Sequence, residues 1–281
     1  MLGAILVLLH LSVTTADYSR YNPGWNGTSV LFDMIDGAGG TMVTDPSLLP
    51  GQGNGMLLFV APGREPPDQD KEDLRDFLFR GNCVLIASDR EEDNELLEGI
   101  GSSIRIRRAD IISVDRFFDD PSSVIAFPTG DDPLSSGIPR LVGNDPSFLE
   151  GGTPVYATSL LSFRDTDGDQ RLGKGEVLER FTIVSRETLG NGTLYVVSDP
   201  SIFINGMLVA NPPTENRDFV ARILSLRPVL LAEQNYSRTA EGGPLIRVIN
   251  LVKNATSIEM AAITLSMLLF GLFLAFGRRD A

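Results

Sequence analysis

Apolar and polar positions divide this chain into two apolar ends and a body in which short buried-type runs alternate with amphipathic ones. Residues 56–60, 84–87 and 194–197 are unbroken apolar or strand-forming runs. Each stops at turn formers: Ala61, Pro62 and Gly63; Ser88 and Asp89; Ser198, Asp199 and Pro200. Runs this short, so punctuated, predict strands buried on both faces. Residues 68–79 have an acidic first turn (Asp70, Glu72, Asp73), an inner stripe of Leu74, Phe77 and Leu78, and a stop at Arg80 and Gly81. That pattern predicts a helix whose ends suit its macrodipole. Shorter helices are predicted at 94–100, ended by Gly101, and at 216–226, with Phe219, Val220, Ile223 and Leu224 inward. Near the start, Thr28 or Ser29 is placed to cap a helix with Val30, Leu31, Met34 and Ile35 inward, and Trp25 is expected to pack against its first turn.

Alternating strand and helix call for a parallel sheet with right-handed crossovers. The middle is less regular. Residues 124–127, 155–157 and 181–184 read as strands, while 129–150, with three Pro-containing turns, reads as a long surface excursion of the functional or mobile kind. In an open α/β sheet the ligand crevice lies beyond the carboxyl ends of the strands. Asp89, Asn94, Asp199, Ser201 and Asn205, together with Asn216, are therefore the candidate ligand-binding residues. Each could instead cap a helix or satisfy turn amides.

The ends set an expected topology. Residues 1–16 are apolar up to small residues suited to cleavage, which predicts a signal peptide or a short N-terminal anchor. Residues 257–276 carry one charge, Glu259, and 20 residues at about 1.5 Å each span about 30 Å, enough for a transmembrane helix. Arg278 and Arg279 follow it and favour the cytoplasmic side. The expected order is an extracytoplasmic domain at 17–228, a juxtamembrane segment at 229–256, the span at 257–276 and a cytoplasmic tail at 277–281, in a single-pass protein of the cell membrane. Four sequons, at Asn26, Asn191, Asn235 and Asn254, lie on the outer side and are candidate glycosylation sites.

Composition removes several chemistries. A net charge of -13 with no basic patch excludes a nucleic-acid surface. One histidine, His10 in the leader, and one cysteine, Cys83 at the head of a strand, cannot assemble a Ser-His-Asp triad, a Cys-His pair or a histidine- and cysteine-rich zinc site. Cys83 reads as a small buried hydrophobe. One stretch does carry ion chemistry. Residues 165–176, DTDGDQRLGKGE, set Asp165, Asp167 and Asp169 at alternate positions and Glu176 at the twelfth, so that with the Arg171 carbonyl they could surround a structural Ca2+. The sixth position, glycine in an EF-hand, is Gln170. A solvated hairpin turn is the alternative, since turns favour Asp and Gly.

YNPGWNGTS at 21–29, the apolar run ending at Pro62, the helix closed by Gly81 before VLIAS, the Asn94-Glu95-Leu96-Leu97 run, the acidic loop and SDPSIFINGML at 198–208 occur in this order. In them the chain resembles an archaeal membrane-anchored family, domain-of-unknown-function family 4350. The resemblance implies a class I glutamine amidotransferase-like fold: a flavodoxin-like three-layer α/β sandwich with a mostly parallel sheet. Amidotransferases carry a nucleophilic Cys on a strand-to-helix turn with a His partner, and this chain has neither. A non-enzymatic binding or scaffold protein with a protein partner in an envelope or transport assembly is the function expected. The alternatives are a hydrolase using Asp89 and Asp199 as acid and base, and a structural surface glycoprotein.

Overall fold

Three of the apolar runs lie side by side as strands. The computed structural model describes residues 14–115, 117–240 and 265–266. Gly55–Val60 (β2) and Cys83–Ala87 (β3) are parallel neighbours, and Gly192–Val197 (β12) runs parallel to β3 on its other side. Two strands without a clear sequence signal complete this half: Thr41–Val43 (β1) and Val229–Glu233 (β13), with β13 inserted between β1 and β2, all parallel. Residues 229–240, expected to open a juxtamembrane segment, thus belong to the sheet and its rim.

The second half is antiparallel. Thr182–Leu189 (β11) returns along β12 through Gly190 and Asn191, and Thr153–Thr158 (β9), Ile125–Pro128 (β6) and Leu141–Val142 (β7) follow, each antiparallel to the last. The nine-stranded order is β1-β13-β2-β3-β12-β11-β9-β6-β7. Arg105–Arg107 (β4) pairs with Phe148–Glu150 (β8), and Ile111–Ser113 (β5) with Ser162–Arg164 (β10), as separate two-stranded ribbons.

The expected flavodoxin-like, amidotransferase-like sandwich with a mostly parallel sheet is therefore corrected. Four of the eight pairings in the main sheet are parallel and four antiparallel, and among the described residues strands far outnumber helices. The cause is local. A two-residue connection between β11 and β12 permits only an antiparallel return, whereas parallel pairing needs a long crossover. Such crossovers serve the first half: Asp68–Phe79 (helix α2) joins β2 to β3. The predicted transmembrane helix is not seen either. No helix among the described residues is long and apolar enough to cross a membrane, and 257–276 lies outside them apart from helical Leu265 and Ser266.

Both faces of the parallel half are covered. Ser29–Gly37 (α1) and Asn216–Ser225 (α5) set Leu31, Ile35, Phe219, Val220 and Ile223 against Met56, Leu58 and Leu85. On the opposite face, α2 and Asn94–Gly99 (α3) set Leu74, Phe77, Leu78, Leu96 and Leu97 against Leu57, Phe59, Val84 and Ile86. Alternate residues of β2 and β3 thus enter two cores, which is why these strands read as continuous apolar runs. The 129–150 excursion is pinned rather than loose: the Asp132 carboxylate accepts from Arg186 (2.8 Å) and from the Tyr195 hydroxyl (3.0 Å). At the far edge of the sheet, the Asn216 side chain accepts from Val142 N–H (2.9 Å) and donates to Val142 C=O (2.8 Å), standing in for a further strand.

Candidate functional site

At the carboxyl edge, β3 runs out into Ser88 and Asp89 and β12 into Ser198 and Asp199. Asp199 precedes the 3-10 turn Pro200–Phe203 and caps it: Oδ1 accepts from Ser201 N–H (2.8 Å), and Oδ2 accepts from Asn144 N–H (2.6 Å). Burial pushes the Asp199 carboxyl up to about 7, although the N–H groups of Asn144 and Ser201 and the Ser201 hydroxyl pull the other way; the negative charge of Asp89 adds to the rise. The Ser201 Oγ lies 3.4 Å from the Tyr18 hydroxyl. Burial raises Tyr18 to about 12, against the pull of the Ser201 bond, and the Asp199 and Asp89 charges contribute. The Arg238 guanidinium stands 4.6 Å from the centre of the Tyr18 ring.

Tyr18 holds φ +60°, a left-handed conformation that a bulky residue adopts only when its surroundings impose it. Here residues 22–30 impose it. Tyr18 N–H donates to Asn26 C=O (2.8 Å), and the Thr28 hydroxyl donates to Tyr18 C=O (2.7 Å), so Thr28 precedes α1 without capping it through its side chain. Asn205, at the start of the one-turn helix Asn205–Leu208 (α4), fixes that loop in turn. Its amide nitrogen donates toward Asn22 C=O (3.0 Å), Gly24 C=O (2.8 Å) and Ser29 Oγ (3.1 Å), and its oxygen accepts from Val30 N–H (2.8 Å). Gly206 N–H donates to Trp25 C=O (2.7 Å). Glycine at 27 is obligatory, since a Cβ there would stand 1.9 Å from the Asn22 carbonyl oxygen. The two longest motifs, 21–29 and 198–208, are thus one unit that lays Tyr18 over Ser201. Trp25, expected to pack against α1, is instead 67% exposed at the outside of the locked loop.

The structure brings Asp89, Asp199 and Ser201 to one edge, while Asn205 serves there as a clamp. Asn94 is committed to a different clamp, accepting from Ile106 N–H (2.7 Å) and donating to Ile106 C=O (3.0 Å). The Asp89 carboxylate makes no hydrogen bond or ion pair among the described residues, although its backbone carbonyl accepts from the Ser147 hydroxyl (2.6 Å). Tyr18 and Arg238 were not singled out by the sequence. Tyr18 adjoins the leader and Arg238 falls in the stretch read as juxtamembrane, and neither carries a periodic signal. The Asn and Gly density of 22–27 was the one visible sign of a tight loop.

A second cluster lies on the acidic loop after β10. One carboxylate oxygen from each of Asp165, Asp167 and Asp169 lies within 4.8 Å of the others. Asp165 also accepts from Gly168 N–H (2.7 Å) and Gln170 N–H (2.8 Å). Desolvation works against its ionisation, but these N–H groups outweigh it and hold the carboxyl below its usual range. Glu176 stands outside the triad and closes the loop, accepting from Gly173 N–H (2.7 Å) and Thr166 N–H (2.8 Å). Gln170 has φ +59°, the left-handed backbone for which an EF-hand uses glycine at its sixth position. An all-oxygen donor set of this kind suits a hard cation such as Ca2+. Of the sequons, Asn191 is exposed at the β11–β12 turn. Asn26 lies inside the locked loop, Asn235 accepts from Arg64 (3.1 Å), and Asn254 lies outside the described residues.

Residues 20–224 match the family described as Domain of unknown function (DUF4350), and the matched stretch takes in both interlocked motifs and the acidic loop. The chain belongs to that family. No curated protein matches it. Among solved structures, the DUF4350 chain is similar to "mmIFT52 N-terminal domain" at 17% identity and TM-score 0.46, covering 64% of this chain and 80% of that one. It is also similar to the exo-β-1,4-mannosidase Op5Man5 from Opitutaceae bacterium strain TAV5, at 12% identity and TM-score 0.33, covering 61% of this chain and 25% of that one. For the β-galactosidase from Bacillus circulans sp. alkalophilus, identity is 13% and TM-score 0.29, with 53% and 21% covered. The chain spans a quarter or less of either glycosidase, and likenesses this remote decide neither fold nor function. Tyr18, β13 and Arg238 fall just outside the matched DUF4350 stretch, although Tyr18 contacts Ser201 within it and β13 pairs with β2. Cys83 is buried and its thiol is pushed up to about 12 by that burial, so the one cysteine stays protonated at the start of β3, away from the carboxyl edge.

Proposed function

We propose that this DUF4350 protein is a membrane-anchored, extracytoplasmic binding or scaffold protein of an archaeal envelope, receiving a protein partner beside the carboxyl edge of its sheet. The observation that carries the reading is the lock between 22–30 and 198–208, which holds an exposed Trp25 on a backbone with almost no freedom. A rigid, exposed tryptophan is the kind of anchor on which interface energy concentrates. Anchoring at the membrane rests on the apolar stretch 257–276 and the arginines behind it. Within the same reading the loop 165–176 holds a structural Ca2+ through Asp165, Asp167 and Asp169, with the Arg171 carbonyl and Glu176 completing the oxygen shell when the ion binds.

The test is crosslinking of full-length protein in native membranes followed by purification. A reproducible partner recovered with the wild type and lost with Trp25→Ala supports the proposal. No reproducible partner, or one indifferent to Trp25→Ala, refutes it and favours the structural glycoprotein. A hydrolase using Asp89 and Asp199 draws support from the Asp199 carboxyl, raised to about 7 by burial with the charge of Asp89 contributing. It asks Asp199 to give up two backbone N–H donors during turnover, and capping explains the same burial without a reaction.

A further inference from the structure

The fold treats the sequons at Asn26, Asn191 and Asn235 differently. Asn26 is spent: its Oδ1 accepts from the Asn22 amide (2.9 Å), its Nδ2 donates to Asp17, and the buried Thr28 hydroxyl donates to Tyr18 C=O (2.7 Å). Asn235 is held through its backbone. The N–H groups of Asn235, Tyr236 and Ser237 and the buried Ser237 hydroxyl all donate to the Glu233 carboxylate. Asn191 is exposed at the tip between β11 and β12, and neither its side chain nor the Thr193 hydroxyl makes a hydrogen bond among the described residues. The tip itself is lightly tied, since Asn191 N–H reaches Phe79 C=O at a long 3.4 Å.

We propose that Asn191 is the modified sequon of this domain and carries an N-linked glycan. Transfer needs a carboxamide nitrogen free to react, a hydroxyl two residues on that the transferring enzyme can grip, and a stretch of chain that can leave the surface. Asn191 meets these needs by fraying the end of one hairpin, whereas Asn26 and Asn235 would have to break the lock on 22–30 or the turn after β13. In the reaction the Asn191 side-chain nitrogen bonds to the anomeric carbon of a lipid-phosphate-linked oligosaccharide. The bond from that carbon to the phosphate oxygen breaks, the nitrogen gives up one proton, and the lipid phosphate leaves with the bonding pair. Phe79, 42% exposed, lies against the same turn, where a Cβ at Gly190 would stand 2.7 Å from its ring, so the first sugar has an apolar surface to cover. β12 sets this tip at the opposite end of the sheet from Asp199, about 20 Å away at about 3.3 Å per residue, which keeps a glycan clear of the carboxyl edge. The inference rests on the extracytoplasmic placement proposed above, but involves neither the protein partner nor Trp25.

The experiment is peptide mapping by mass spectrometry of the full chain purified from its native membranes, alongside external protease treatment of intact cells. The Asn191 peptide should be heavier by a series of sugar residues, and the Asn26 and Asn235 peptides should run at their bare masses. Thr193→Ala, which leaves Asn191 in place, should abolish the addition, and Thr193→Ser should retain it. A bare Asn191 peptide overturns the inference, as does sugar on Asn26 or Asn235, or an addition that survives Thr193→Ala. The wild-type map needs no variant, so it stands even if a substitution unfolds the chain. A bare Asn191 in a chain that external protease cuts sinks this inference alone; a bare Asn191 in a protected chain sinks the extracytoplasmic placement as well. Partner recovery through Trp25 is read separately.

Discussion

Asp199→Asn separates a buried cap from a solvated one by the pH dependence of stability. The carboxyl moves from its ordinary 3.8 to about 7 on folding, because burial outweighs the N–H donors of Asn144 and Ser201. A rise of about 3 units corresponds to about 4 kcal/mol. Because the folded value is raised, the native state binds the extra proton. The stability this confers is full below about pH 3.8, drains away as pH climbs to about 7, and is gone above that, where the ionised group bears its whole desolvation cost. Asparagine cannot ionise, but its NH2 must face one of the two N–H donors, a loss of about 1–3 kcal/mol at any pH. The variant should therefore be the less stable protein near pH 4–5 and equal to or more stable than wild type near pH 8, with the difference changing by about 4 kcal/mol across the range. Urea unfolding of both proteins at a series of pH values measures it. Glu233, also raised by burial, acts equally in both and cancels in the difference. A wild-type minus variant difference that stays flat from pH 4 to pH 8, within about 1 kcal/mol, would refute the assignment of Asp199 as a desolvated cap.

Gln170→Gly relieves a left-handed backbone at φ +59° and should raise stability by up to about 1 kcal/mol while tightening calcium, seen in melts with and without the ion and by calorimetry; no heat from either protein removes calcium from the account. Asn216→Ala strips both bonds from Val142 at the sheet edge and should cost about 2–4 kcal/mol in urea unfolding, and Asn216→Asp should not rescue it because an acceptor then faces the Val142 carbonyl. Gly27→Ala drives a methyl into the Asn22 carbonyl oxygen and should destabilise by more than about 2 kcal/mol; a neutral result would show that the loop yields easily.

The parallel half was legible because strands buried on both faces show unbroken apolar runs, and α2 announced its ends at the residues where they occur. β13 escaped because Val229–Glu233 ends in a buried glutamate that reads as surface; its carboxylate is in fact taken up by the N–H groups of Asn235, Tyr236 and Ser237. In the antiparallel half the strands β6, β9 and β11 were legible as 124–127, 155–157 and 181–184, but their direction was not, and β11 runs on to Leu189 through Ser, Arg, Glu and Thr at 185–188, which carry no apolar signal. At the candidate site, Asp199 and Ser201 lie at the junction between β12 and the turn Pro200–Phe203, which the run 194–200 marks in the sequence. That Asn94, Asn205 and Asn216 are each spent on backbone depends on partners 12 to 183 residues away, which no local pattern encodes. Tyr18 owes its place to bonds from Asn26 and Thr28 that hold a strained φ, which no local pattern announces.

The central claim is that Asn205 welds the two motifs into one rigid unit, and exchange of the Val30 amide, which donates to the Asn205 side chain, reads that claim most directly. In the wild type this amide should exchange only with the domain core. In Asn205→Ala the loss of about 2–3 kcal/mol of clamp should drop its protection by about two orders of magnitude and lower the fluorescence anisotropy of Trp25, while amides of β2 and β3 stay slow. A Val30 amide that exchanges freely in the wild type, or at an unchanged rate in the variant, would contradict the account.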